Sequence, residues 1–67
     1  MEITINHQKK KLSQSTTVQQ LLDLEVPEKQ KGIAVAINNT VVPKKEWGNK
    51  MISEHDNILI IKATQGG

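Results

Sequence analysis

The 67-residue chain contains no cysteine, no arginine, no tyrosine and no phenylalanine, and its only aromatic residue is Trp47. Without cysteine there is no disulfide, no thiolate-ligated zinc and no cysteine nucleophile, so packing alone must hold a small core together. A chain of this size buries only about 60% of its unfolded surface, which makes that core thin. All nine basic residues are lysines, giving a formal net charge of +2 and a sequence pI near 9.1. Lysine lacks the planar fork that reads guanine or grips phosphate bidentately, and one tryptophan offers no row of rings for stacked bases. Nucleic acid is therefore not an expected partner, and Lys9-Lys10-Lys11 reads as the solvated face of a strand. The longest apolar runs, Ile33 to Ile37 and Ile58 to Ile61, are far too short for a membrane-spanning helix. The start, Met-Glu-Ile-Thr-Ile-Asn, shows no signal-peptide pattern, so a cytoplasmic protein without a membrane partner is expected.

What is present reads as one domain. Glu2 to Asn6 alternates polar and apolar residues with Ile3 and Ile5 on one face, the pattern of a half-buried strand. Asn6-His7-Gln8 supplies a turn, and "KKKLS" returns as the second strand of a hairpin. Thr16 with Gln19 has capping-box spacing and predicts a helix over residues 17–25. Val18, Leu21 and Leu22 share its buried stripe, closed by Leu24 or Val26, and Pro27 ends it. "IAVAI" is apolar throughout and predicts a central strand covered on both faces. Asn38-Asn39 is a turn signal before the short strand Thr40-Val41-Val42, which Pro43 ends. An irregular stretch follows, from which Trp47, Met51 and Ile52 are expected to cover the end of the core, and "NILIIKA" is the last strand. Hairpin, helix, strand, short strand and final strand describe an α+β protein, a β-grasp with a mixed four- to five-stranded sheet and one helix across it.

The chain ends in Gly66-Gly67, an ending that chance produces in roughly one chain in 200 at average glycine usage. Glycine is the residue least able to hold a fixed shape, which suits an exposed arm: residues 1–63 are expected to form the domain and 64–67 a flexible tail. A β-grasp with this ending resembles the ubiquitin-like sulfur carriers, and among them the ThiS type of thiamine thiazole synthesis. The segment "VAINNTVVPKKEW" carries most of the resemblance, with Val42-Pro43 and then Trp47 at the family's spacing. Leu21-Leu22, Asp56-x-Ile58 and the terminal Gly66-Gly67 add to it over nearly the full length. Two places where the family often carries glycine are His7 and His55 here, and both read as turn residues able to tolerate positive φ.

The resemblance implies a carrier without a catalytic side chain of its own. An E1-like adenylyltransferase using ATP and magnesium would activate the C-terminal carboxylate of Gly67. A sulfur-donor enzyme would then convert it to a thiocarboxylate, and thiazole synthase would receive the sulfur. Gln65 and Gly66 would thread the partners' clefts, and no metal would be bound by the chain itself. Alternation in the last strand puts Ile58 and Ile60 on one side and Leu59 and Ile61 on the other. The resemblance, in which the position of Leu59 is often polar, implies that Ile58 and Ile60 face inward, leaving Leu59 and Ile61, with Val41, as an expected partner-binding patch. Alternatives are a carrier for molybdopterin synthesis, a ubiquitin-like modifier, or a β-grasp interaction module in which the glycines are incidental. An independent enzyme is disfavoured, because Asp56 and His55 are adjacent, point apart and lack a nucleophile.

Overall fold

The computed structural model describes residues 1–27 and 32–62. Five strands and one α-helix follow in the order β1 (Glu2–Ile5), β2 (Gln8–Lys11), α1 (Val18–Glu25), β3 (Ile33–Ile37), β4 (Thr40–Val42) and β5 (Asn57–Lys62). They make a single mixed sheet ordered β2-β1-β5-β3-β4, so the last strand in sequence is the middle strand in space. β5 runs parallel to β1 and antiparallel to β3, joining the two hairpins. This is the β-grasp expected, with five strands.

Both hairpins turn through two residues at positive φ, the combination that a type I′ turn requires. Asn6 and His7 (φ 48° and 71°) close the pair Ile5–Gln8, and Asn38 and Asn39 (51° and 71°) close Ile37–Thr40. His55, ahead of β5, also has positive φ (67°), so both histidines occupy the turn conformations anticipated for them. The first asparagine of each turn also bonds to β5. The Ile60 amide donates to Asn6 Oδ1 (2.8 Å), and the Asn57 amide donates to Asn38 Oδ1 (2.9 Å). Asn38 Nδ2 in turn donates to Asp56 Oδ1 (3.0 Å).

Helix α1 crosses one face of the sheet. Val18, Leu21 and Leu22 are almost wholly buried against Ile3, Ile5, Val35, Ile37, Val42, Ile58 and Ile60. The capping box forms one residue later than the spacing of Thr16 and Gln19 suggests. Thr17 is the extended N-cap, its hydroxyl oxygen accepting from the Gln20 amide while Gln20 Oε1 accepts from the Thr17 amide. Thr16 is unavailable as a cap because its hydroxyl donates to the Gln14 carbonyl and its own carbonyl accepts from the Ile52 amide. Val26 closes the apolar stripe, whereas Leu24 is 73% exposed.

Two further expectations change. β3 is interior but not central, and only one of its faces is covered: Val35 and Ile37 are buried beneath the helix while Ala34 is exposed on the other side. A strand whose outward positions are alanines reads as uninterrupted apolar sequence without a second layer over it. Within the stretch before β5, Lys44–Glu46 form a 3₁₀ turn that drops Trp47 into the core, where its indole N–H donates to the Val42 carbonyl (3.0 Å). Ile52 is buried as expected, but Met51 is 47% exposed, because its backbone bridges to Thr17 and alternation turns its side chain outward.

Replacing Asn38 with alanine removes two hydrogen bonds to the start of β5 and forces alanine into a left-handed turn. The expected loss is about 2–4 kcal/mol, seen in urea unfolding as a lower midpoint at unchanged slope.

Candidate functional site

Among the described residues, one face of the sheet is left uncovered by the helix. Register places Leu59 beside Ala36, Ala36 beside Val41, and Ile61 beside Ala34, all pointing away from the helix. Val41 is 66% and Ile61 53% exposed, and Leu59 is half-buried between them. Ala36 is buried although no layer of described residues lies over it, because the larger side chains of Leu59 and Val41 flank it in the adjacent strands. The alanines form a shallow floor and the three larger residues its raised borders. Trp47 lies on the helix side of the sheet and covers none of this face.

The patch stands where β5 delivers the chain to its end. β5 finishes at Lys62, one residue beyond Ile61. Gln65, Gly66 and Gly67, for which the resemblance implies tail threading and the reacting carboxylate, lie outside the described residues, as does the boundary between 63 and 64. The sheet therefore brings Val41, Leu59 and Ile61 together on one surface at the strand that leads to that tail.

The remaining polar clusters are occupied by structure. The Asp56 carboxylate is buried and accepts from the Ser53 amide (2.8 Å) and from Asn38 Nδ2, which shapes the turn into β5. An open depression of about 290 Å³ is lined by Asp56, Ser53, Lys50, Asn38, Thr40 and neighbouring apolar residues, with no histidine to activate the Ser53 hydroxyl. His55 is instead on the surface, its Nε2 3.7 Å from Glu54. The helix N-terminus is also closed, since the Val18 and Gln19 amides donate to the carbonyls of Lys50 and Trp47. Among the described residues no group of three or more His, Asp or Glu side chains is placed to hold a metal ion, and no helix is long and apolar enough to cross a membrane.

The family model described as the ThiS family matches residues 1–67. The chain belongs to the ThiS family. Among curated proteins it is 33% identical over 67 residues to the sulfur carrier protein ThiS of Escherichia coli (strain K12), a match covering all of both chains. Among solved structures it resembles the crystal structure of the thiamine biosynthesis protein ThiS from Geobacter metallireducens, with a TM-score of 0.86 at 19% identity and full coverage of both chains. A solution structure of a thiamine biosynthesis protein from the same organism gives a TM-score of 0.81 at 19% identity, covering all of this chain and 88% of that one. At that level of identity the two structures bear on the fold, which is the ThiS β-grasp.

Sequence reasoning missed the two asparagine clamps, although the signal was present: Asn is a residue that both tolerates positive φ and can pair with a neighbouring strand through its side chain. The two faces of β5 make a direct test. Ile61→Asp on the open face should fold, losing no more than about 1 kcal/mol in urea unfolding. Ile58→Asp, which places a carboxylate in the core, should give no cooperative transition.

Proposed function

We propose that this chain is a sulfur carrier of thiamine biosynthesis whose reacting group is the C-terminal carboxylate of Gly67. The match to the ThiS family over residues 1–67, which includes Gly66-Gly67, carries this reading. A carboxylate at neutral pH is a poor electrophile. An E1-like adenylyltransferase supplies ATP and magnesium, the carboxylate oxygen attacks the α-phosphorus, and pyrophosphate leaves. Sulfur at the sulfide level, released by a donor enzyme, then adds to the acyl carbon and AMP departs, leaving the thiocarboxylate that thiazole synthase consumes. The work takes place in the cytoplasm.

On this reading the chain is a co-substrate rather than an enzyme, and its contribution is delivery. Glycines at 66 and 67 lack Cβ and so pass a narrow cleft in either sign of φ. Extended fully, residues 63–67 reach at most about 17 Å, so a partner that engages Gly67 must also bear on the end of the sheet near Lys62. Val41, Leu59 and Ile61 form the seat on which it bears.

Thiol alkylation followed by mass spectrometry tests the reading directly. Because the chain has no cysteine, any alkylated sulfur was added after synthesis, and alkylation separates it from oxidation of Met1 or Met51, which shifts the mass almost identically. Protein isolated from cells with intact sulfur machinery should carry an adduct that fragments to Gly67. If none forms even with ATP, the adenylyltransferase and a sulfide source supplied, the chain is a passive interaction module. Within this framework Ile61→Asp, correctly folded, should lose adenylation at least tenfold in a pyrophosphate-exchange assay, the loss appearing in KM for the carrier.

A further inference from the structure

The lysine run on β2 is used by neither the core nor the carboxylate chemistry, and strand alternation divides it between the two faces of the sheet. Lys10, opposite Ile3, reaches to the helix side, where its Nζ lies 2.6 Å from Glu25. Lys9 pairs with Thr4 and Lys11 with Glu2, so both stand on the open face, with Val41, Leu59 and Ile61. Glu2 beside Lys11 supplies a carboxylate on this part of the face. Lys9 makes no hydrogen bond or ion pair among the described residues.

Register fixes how far Lys9 stands from the apolar seat. Thr4 is level with Asn57, so Lys9 is two strands across and one two-residue step along from Leu59, or about 12 Å between backbones. An ordinary protein interface covers about 800 Å² per partner, a disc of roughly 16 Å radius. A partner centred on Leu59 therefore extends over Lys9. Nucleic acid is a poor occupant, because the face carries no arginine and no aromatic ring.

We infer that Lys9 forms a cationic rim to the apolar seat and that the enzyme docking there, the adenylyltransferase on the reading above, presents a carboxylate opposite it. Apolar contact at Val41, Leu59 and Ile61 then sets how long the complex lasts. The exposed Lys9 sets how quickly it forms and which way round, which is what a rim charge does.

Lys9→Glu and Lys10→Glu change the net charge identically and differ in the face they alter, so they separate rim contact from general attraction. Association of each variant with the purified adenylyltransferase is followed by stopped flow between about 20 and 300 mM salt. Lys9→Glu should slow association about fivefold or more at low salt, flatten its salt dependence and leave dissociation within about twofold of the parent. Lys10→Glu should stay within about twofold in both, and thermal melts should show all three proteins folded. Equal effects of the two variants, or none from Lys9→Glu, overturn the rim. If the parent chain does not bind the enzyme at all, the carrier reading fails and the rim falls with it; binding with an unaltered Lys9→Glu variant removes the rim alone.

Discussion

Everything in this fold hangs on β5 lying between β1 and β3. Each hairpin is a local structure that a two-residue turn can form, but two-stranded ribbons are marginal in water. Only when the final strand enters between them does one sheet exist with a face wide enough to bury Leu21, Leu22 and Val18. The two asparagine turns guard that insertion. Asn6 supplies a carbonyl oxygen to Ile60 where β1 has already ended, and Asn38 does the same for Asn57 where β3 has ended. Side-chain amides thus act as extra backbone, satisfying amides that a middle strand cannot leave unpaired. The join is a long-range one, with β1 and β5 more than 50 residues apart, so β5 completes the sheet last along the chain.

That placement also decides what the last residues are attached to. A tail attached to an edge strand or a frayed helix would inherit the looseness of its root. Here residues 63–67 follow a middle strand, paired with β3 out to Ile33 and Lys62 and with β1 at its start, where Thr4 lies level with Asn57 and Ile5 with Ile58. Leu59 and Ile61 of the open face lie on the same strand, so on the proposed function docking and delivery would share one frame.

Much of this could be read from residues alone, because the strongest signals are local. Ile3 and Ile5, the stripe of α1 and the Asn-Asn turn each obey a periodicity or a turn rule that needs no tertiary information. The misreadings arise where two local rules gave the same pattern. Thr16 and Thr17 both precede the helix with glutamine three residues on, and the docking of Thr16 against Ile52 decides between them. An uninterrupted "IAVAI" suits a strand buried on both faces or one whose outer residues are small, and the register with β4 and β5 decides that too. Trp47 was recognisable as a core residue, but not the 3₁₀ turn that carries it there, since Lys44-Lys45-Glu46 has no apolar period to reveal it. For the site, alternation only separates Leu59 and Ile61 from Ile58 and Ile60; which side is open, and their grouping with Val41, were legible through the family resemblance, since no local signal encodes the strand order.

An open apolar face on a sheet with two free edges is also a hazard, since exposed strands pair readily with copies of themselves. The sequence meets it differently at each edge. β2 is Gln-Lys-Lys-Lys, exposed along its whole length, and would bring like charges together in any edge-to-edge pairing. β4 is only three residues long and ends at Pro43, which has no amide to offer a further strand. A carrier needs an accessible apolar surface in order to be recognised, and it must remain monomeric enough to be handed between enzymes. The same lysine edge can serve both demands, repelling a second copy of the chain while attracting an acidic partner, because the sign of the opposing surface determines which contact forms.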